Sequence, residues 1–269
     1  MKRLAEEIQT RVDPELRGIL HEAGGLAAET ECCAYAVGGL VRDLLLGRGH
    51  FDLDIVVEGE GIRFAKSLAG RLGARVKGYE RFGTATITLP TGTRVDVATA
   101  RTEIYDEPAA LPRVTPGSIH DDLFRRDFTV NAMALSLAPA EFGRLLDDFG
   151  GVRDIRERHI RVLHERSFVD DPTRIFRAVR FETRLGFRIV GSDGRRIAEA
   201  LSLGLLERLE EYRIAAELRL ILREPDPARP LQRLDQLGVL EALEGMRQRR
   251  RCLDKPLAKI GRLLHAARR

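Results

Sequence analysis

The chain has 269 residues, of which 43% are hydrophobic and 32% are charged. This composition supports a packed core and excludes an intrinsically disordered chain, and the length suits one compact domain with helical additions. No run of about 18 uncharged apolar residues occurs, so we expect no membrane span. The three cysteines cannot form a disulfide framework and favour a reducing, cytoplasmic location. The net charge of +4 is mild and compatible with a polyanionic partner.

The first half of the chain predicts a small sheet with helices. Residues 1–30 carry apolar side chains at helical spacing between acids, which predicts an N-terminal helical segment and not a signal peptide. Residues 31–150 alternate short β-branched runs with helical stretches, which predicts a head domain built on a mixed sheet. Strands are expected at Arg75–Tyr79 and Arg94–Thr99, with a hairpin turn at residues 90–92. The prolines between 104 and 119 exclude a regular helix or a central strand and predict a surface loop.

The second half of the chain has a helical period throughout. Prolines and glycines divide it, and we expect a helical neck at residues 151–205 and a helical body at 206–269, with a tail that is short or absent. The predicted fold class is therefore α+β: a head with a mixed sheet, followed by an all-helical neck and body.

The first motif that carries chemistry joins a glycine pair to two acids. Gly38 and Gly39 follow a predicted strand and open a predicted helix, so their backbone can approach a phosphate, and Arg42 lies one turn into that helix. Asp52 and Asp54 are two apart on a predicted strand and therefore point to the same face. Two carboxylates on one face suit Mg²⁺, which takes oxygen ligands together with substrate phosphates.

Other polar residues of the head are open to two interpretations. Arg126 and Asp127 follow Arg125 and precede apolar residues, and they predict contacts with a phosphate and a ribose hydroxyl; the alternative is a solvated charged turn. Asp96 on a neighbouring predicted strand is either a third carboxylate beside the pair or a solvated strand residue. We leave Asp96 out of the predicted metal site.

A stripe of arginines follows an acidic pair in the helical half. Asp171 is expected to cap a helix whose first residue is Pro172. Arg174, Arg177 and Arg180 recur at every third position and therefore lie on one stripe, where unpaired like charges repel each other. An anion bound at this stripe would explain them, and the alternative is a helix cap followed by a solvated helix face.

In this order, the motifs resemble those of the class II tRNA nucleotidyltransferases and bacterial poly(A) polymerases. This family belongs to the polymerase-β-like nucleotidyltransferase superfamily. The resemblance covers the chain from about Ala34 to Gly186 and continues more weakly through Glu211–Leu240. It implies a polymerase-β-like head, with Mg²⁺ bound by Asp52 and Asp54 as the catalytic acids.

The resemblance also implies which residues bind the nucleotide. The segment that contains Gly39 and Arg42 corresponds to the family's phosphate-binding segment. The base-reading motif corresponds to Asp171 and Arg174, and Asp170 stands where the family usually has Glu. In the family this motif replaces a nucleic-acid template. The remaining positions are expected to contact ribose and phosphate, and these are Arg126, Asp127, Arg177 and Arg180.

The implied function is the addition of C, A or both from CTP and ATP to the 3′ end of tRNA, with release of pyrophosphate. The loop text at residues 108–114 differs from that of most full CCA-adding members. Partial enzymes that add only A or only CC are therefore alternatives to full CCA addition, and a poly(A) polymerase is a further one. From other classes, the alternatives are an inactive RNA-binding module and a small-molecule nucleotidyltransferase.

Overall fold

The computed structural model describes residues 4–49, 51–247, 259, 260 and 263. Within these residues, no helix has the length and apolar character needed to cross a bilayer. The helices are α1 (Ala5–Arg11), α2 (Pro14–Glu29), α3 (Gly39–Leu45), α4 (Gly61–Arg71), α5 (Ile119–Phe124), α6 (Gly151–Glu157), α7 (Ser167–Asp170), α8 (Thr173–Leu185), α9 (Gly191–Ser202), α10 (Leu205–Arg208), α11 (Glu211–Ile221), α12 (Ala228–Gln236) and α13 (Val239–Arg247). The strands are β1 (Cys33–Val37), β2 (Leu53–Glu58), β3 (Arg75–Tyr79), β4 (Thr84–Thr88), β5 (Arg94–Thr99), β6 (Arg101–Ile104), β7 (Arg113–Pro116), β8 (Ala134–Ser136), β9 (Leu145–Leu146), β10 (His159–Ile160) and β11 (Arg188–Ile189).

The chain packs into two compact units. The first unit consists of Met1–Glu103 and Val114–Arg156, and the second consists of Ile104–Arg113 and Glu157–Arg269. The structure thus groups the N-terminal helices with the sheet, because α2 packs on β1 and α4. It also groups ten residues of the proline-containing loop with the helical half of the chain.

The first unit is built on a mixed sheet, as the sequence predicts. Within the described residues the sheet has seven strands in the order β3-β4-β5-β2-β1-β8-β9. Strands β2 and β5 run parallel, and the other neighbouring pairs run antiparallel. The β-branched side chains of Ile55, Val56 and Val57 on β2 are almost fully buried, which is typical of a central strand.

The local predictions hold best where periodicity and turn residues are clear. Strands β3 and β5 have the predicted bounds, and the hairpin at 90–92 is confirmed by the antiparallel pairing of β4 with β5 and by a φ of +93° at Gly92. The segment 104–119 contributes no strand to the seven-stranded sheet, as predicted, although β6 and β7 at its ends form a separate two-stranded ribbon that was not predicted. Strands β8 and β9 are too short to show a period of two and were not predicted.

Helix α8 is central to the second unit. Its apolar face buries Ile175, Phe176 and Val179, and α11 and α12 pack against it. The helix ends at Gly186, whose φ of +70° is favourable for glycine and terminates the helix in a left-handed cap.

A close approach between α2 and the sheet makes Gly24 sensitive to substitution. A Cβ at this position would lie 2.1 Å from the carbonyl oxygen of Leu137. We expect Gly24→Ala to lower the free energy of unfolding by about 1–3 kcal/mol, the usual cost of overpacking. The matched control is Gly25→Ala, where a Cβ would meet no atom within 4 Å; it should raise the free energy of unfolding by about 0.5–1 kcal/mol. Urea denaturation measures both, and equal effects would contradict this packing.

Candidate functional site

The glycine turn between β1 and α3 lies directly beneath an arginine. Gly38 has a φ of +67° and a ψ of −118°, a combination that L-residues avoid. A Cβ at Gly38 would lie 2.9 Å from Nη1 of Arg126, so a larger residue would displace this guanidinium from its place over the turn. Sequence reasoning singled out Gly39, which is the first residue of α3, but the conformation that requires glycine is at Gly38.

Arg42 is held by protein groups. Its side chain is buried, its Nε and Nη2 donate to the two carboxylate oxygens of Asp43 at 3.0 and 2.7 Å, and its Nη1 donates to Oδ1 of Asn131 at 2.7 Å. Asn131 in turn donates through Nδ2 to Oδ1 of Asp127 at 2.9 Å. The first and second sequence motifs are therefore joined by a buried hydrogen-bond network.

The carboxylate of Asp127 also forms a hydrogen bond with the backbone of the next residue. Its Oδ1 accepts a hydrogen bond from the N–H of Phe128 at 2.8 Å, and the side chain is only 7% exposed. The structure thus gives Arg42 and Asp127 a clear role in joining two segments of the head. Their predicted contacts with phosphate and ribose stay predictions.

Three acidic residues lie along the parallel strand pair. Asp54 on β2 is in register with Asp96 on β5, and Asp52 immediately precedes β2. Burial raises the pKa of the Asp54 carboxyl, the Arg126 charge opposes this rise, and the negative charges of Asp96 and Asp52 add to it. The prediction that both acids of the pair lie on the strand is wrong for Asp52, because β2 begins at Leu53.

This donor set fits a divalent metal ion. Carboxylate oxygens are the preferred ligands of hard divalent cations, and a bound cation would favour the ionised form of Asp54, which burial first and then the charges of Asp96 and Asp52 disfavour. Asp96, which also accepts a hydrogen bond from Oγ1 of Thr86 at 2.5 Å, belongs to this group by position. The sequence shows Asp96 on a strand, but only the register between β2 and β5 shows that it is beside Asp54.

The residue that sequence reasoning missed is Asp122 on α5. Its side chain is fully buried, with one oxygen accepting from Nε and Nη2 of Arg125 at 2.9 and 2.7 Å. The other oxygen accepts from Nη2 of Arg126 at 2.9 Å. Arg125 also donates to Oε1 of Glu103 at 3.1 Å. Asp122 therefore orients Arg126, the arginine that covers the glycine turn. In the sequence, the spacing of Asp122 to Arg125 (i, i+3) and to Arg126 (i, i+4) was the signal that could have indicated these ion pairs.

In the second unit, Asp171 caps the start of α8. Its Oδ1 accepts from the backbone N–H of Thr173 at 3.0 Å and from the Thr173 hydroxyl at 2.6 Å. The predicted cap is thus confirmed, although the helix begins at Thr173, one residue after the expected Pro172. A difference of one residue is usual for helix ends.

The three arginines of the predicted stripe on α8 have partners within the protein. Arg174 is 4% exposed and donates through Nη1 to the hydroxyl of Ser167 at 2.6 Å. Arg177 and Arg180 each have a guanidinium nitrogen within 4.0 Å of a carboxylate oxygen of Glu217 on α11. The premise that these arginines are unpaired is therefore wrong, because Arg174 contacts a hydroxyl on α7 and the other two lie near an acidic residue on α11.

Comparison with known proteins agrees with this architecture. The family described as the Poly A polymerase head domain matches residues 34–161. The A-adding tRNA nucleotidyltransferase of Geobacter sulfurreducens is 50% identical over 222 residues, which are 82% of this chain and 25% of that protein. The CC-adding tRNA nucleotidyltransferase of Deinococcus radiodurans is 38% identical over 242 residues, which are 90% of this chain and 63% of that protein.

A solved structure shows the same fold. The Thermotoga maritima CCA-adding enzyme in complex with tRNA superposes with a TM-score of 0.80 at 42% identity, covering 90% of this chain and 55% of that one. The chain spans between 25% and 63% of the length of these three proteins. With its glycine turn and its acids on paired strands, the chain carries the Poly A polymerase head domain at residues 34–161, and over most of its length it is similar to tRNA nucleotidyltransferases.

Proposed function

We propose that this protein is a template-independent RNA nucleotidyltransferase that adds C, A or both from CTP and ATP to the 3′ end of tRNA. The observation that carries the proposal is the cluster of Asp52, Asp54 and Asp96 with Arg126 above the glycine turn. Transfer of a nucleotidyl group requires carboxylates that can bind a cation. It also requires a positive charge that is fixed near the phosphates. The names of the relatives support tRNA as the acceptor.

Mg²⁺ is the divalent ion we propose for the acids, with Asp52 and Asp54 as ligands. When bound, it would lower the pKa of the attacking 3′-hydroxyl and neutralise charge on the leaving pyrophosphate. Arg126 supplies a fixed positive charge for the phosphates, because Asp122 holds its guanidinium over Gly38. Preorganised charge of this kind costs no reorganisation during the reaction.

The role proposed for the second unit is recognition of the nucleotide. Asp171 and Arg174 at the start of α8 read the base, since a carboxylate and a guanidinium offer the acceptor and donor edges of a complementary base. Arg177 and Arg180 contribute positive charge for the triphosphate, and the Glu217 carboxylate lies within 4.0 Å of both guanidinium groups. A cytoplasmic location goes with this function, because CTP, ATP and tRNA are found there.

The subtype follows from which nucleotides are incorporated. The relatives named above comprise an A-adding, a CC-adding and a CCA-adding enzyme, and the first is the most identical of those three. Full CCA addition, A addition and CC addition are therefore the three outcomes to separate.

The experiment uses tRNA transcripts that end before CCA, after the first C and after CC. Each is incubated with Mg²⁺ and labelled CTP or ATP separately, with oligo(A) as a control acceptor for poly(A) synthesis. We expect incorporation into at least one tRNA, and the pattern of labelled C and A assigns the subtype. Binding of tRNA by folded protein without incorporation of either nucleotide would contradict the proposal and support an inactive RNA-binding module.

Base reading makes a specific prediction for Arg174. We expect Arg174→Lys to lower discrimination between the correct and incorrect nucleoside triphosphates by about tenfold or more, because lysine keeps the charge but lacks the planar donor fork. The values of kcat/KM for all four triphosphates measure this effect. The control is Arg184→Lys on an exposed position of the same helix, which should leave discrimination unchanged. A uniform rise in KM for all four nucleotides would instead assign Arg174 to the phosphates.

A further inference from the structure

One face of the head sheet runs from the acids of the candidate site to the outer edge strand, β3. Asp54 on β2 is in register with Asp96 on β5, which is in register with Thr86 on β4. Thr86 is in turn in register with Lys77 on β3. Side chains at paired positions point to the same face of a sheet, so these four residues form one row. With neighbouring strands about 4.8 Å apart, the row spans about 14 Å from Asp54 to Lys77.

The other face of β3 is turned toward α4. This helix packs on β3, and a Cβ at Gly78 would lie 3.3 Å from Cγ2 of Ile62 on the helix. Successive side chains of a strand point to opposite faces, so Arg75, Lys77 and Tyr79 point away from α4. All three are exposed. The row that contains Asp54 therefore ends in a strand face that is open to solvent.

Exposed aromatic rings stand among positive charges at this edge. Tyr79 is 41% exposed, and Phe82, which follows β3, is 54% exposed. Nζ of Lys77 lies 5.2 Å from the centre of the Tyr79 ring, and Cζ of Arg81 lies 5.7 Å from the centre of the Phe82 ring. Among the described residues, no carboxylate oxygen lies within 4.0 Å of the charged groups of Arg75, Lys77 or Arg81. The edge thus offers positive charge that the protein itself leaves available.

Protection of the edge strand explains only part of this composition. Charged side chains on an edge strand prevent pairing with another chain. That protection does not require two aromatic side chains exposed to water beside the charges. Single-stranded nucleic acid matches both features, because cations follow its phosphates and aromatic rings stack on its bases. The span of about 14 Å corresponds to about four nucleotides at 3.4 Å each, so a strand that ends at Asp54 reaches the edge.

We propose that the edge face, defined as Arg75, Lys77, Tyr79 and Phe82, binds the single-stranded 3′ segment of the acceptor RNA. The cations contact phosphates, and the rings stack on bases without reading their sequence. This inference rests on the proposed function, because the strand is an acceptor only if transfer takes place at Asp54. None of the four residues belongs to the sequence motifs that predict the nucleotide site.

Fluorescence anisotropy with labelled RNA hairpins tests this surface. One hairpin carries four unpaired nucleotides at its 3′ end, and the other has a blunt end. Both are measured with the full chain and without nucleoside triphosphate, so that no transfer occurs. The wild type should bind the hairpin with the unpaired end about tenfold more tightly or better, because only that hairpin has bases free to stack.

Substitutions of Tyr79 separate stacking from general contact. Tyr79→Leu should weaken binding of the hairpin with the unpaired end by about tenfold, because leucine has no ring on which a base can stack. Tyr79→Phe keeps the ring and should bind like the wild type. The affinity for the blunt hairpin should be the same in both variants.

The salt dependence of binding tests the role of Lys77. Lys77→Ala should weaken binding of the hairpin with the unpaired end and make the plot of log Kd against log salt shallower by about 0.7, the value for one phosphate of a single strand. The matched control is Lys66→Ala on an exposed position of α4. It removes the same charge from the opposite side of the sheet and should leave both the affinity and the slope unchanged.

The outcomes for this surface and for the proposed function are distinct. Equal losses with both hairpins, or unchanged binding in Tyr79→Leu and Lys77→Ala, would overturn the inference alone if the wild type transfers nucleotides to tRNA. A folded wild type that binds the unpaired end but transfers no nucleotide would overturn the proposed function, and with it the acceptor role of the bound strand.

Discussion

Replacing Asp54 by asparagine is expected to abolish nucleotide transfer while the protein stays folded. The amide keeps the size of the side chain but removes the negative charge that we propose as a ligand of Mg²⁺. Loss of a preorganised electrostatic group typically costs about 100- to 1,000-fold in rate, and a metal ligand should cost at least this much. Single-turnover incorporation of labelled nucleotide into tRNA measures the effect. The control is Asp235→Asn, on an exposed position of α12, which should keep full activity.

Stability should change in the opposite direction from activity. The pKa of Asp54 is raised by burial and by the nearby acids, so its ionised form at neutral pH lowers the stability of the metal-free fold. Asp54→Asn removes this unfavourable charge, and the free energy of unfolding in EDTA should stay equal or rise. Mg²⁺ should stabilise the wild type more than the variant. Retained transfer at ordinary Mg²⁺ concentrations, or unfolding of the variant, would contradict the metal assignment.

Asp122→Asn is expected to damage both stability and transfer. The buried carboxylate of Asp122 accepts hydrogen bonds from both Arg125 and Arg126. A neutral amide leaves these guanidinium groups without their shared counter-charge, and breaking a buried pair in this way costs about 3–5 kcal/mol. Transfer should fall further than the loss of folded protein explains, because Arg126 is no longer held over the glycine turn. Urea denaturation and single-turnover rates measure the two effects.

The neighbouring acid provides a control with a different pH dependence. Asp121 forms a capping box with Ser118, and the hydrogen bonds from Ser118 lower the pKa of its carboxyl. Because the folded pKa is lowered, its contribution to stability is present above the unfolded pKa and is lost as the pH falls through the folded value. Asp121→Asn should therefore be less destabilising than Asp122→Asn, with a difference from the wild type that shrinks in acid. Equal losses at all pH values would contradict the distinction between the two acids.

Much of the local structure followed from patterns that are local in the chain. The bounds of β3 and β5, the hairpin at 90–92 and the capped start of α8 depend on neighbouring residues, namely on apolar periodicity, turn residues and a capping acid. The resemblance of the motifs to the family also lies in continuous short segments. Such features are visible in the sequence because the atoms that determine them are only a few residues apart.

The partners of the charged residues were decided by the tertiary structure. Nothing local in the chain places Asp96 beside Asp54, or Asn131 against Arg42, because these pairs depend on strand register and on packing between distant segments. The three arginines of the stripe on α8 seemed unpaired for the same reason, since Glu217 approaches two of them from α11. The sequence by itself determined which residue types stand on which elements. Only the fold decided which charges meet, because electrostatic partnership depends on distance in space and not on separation along the chain.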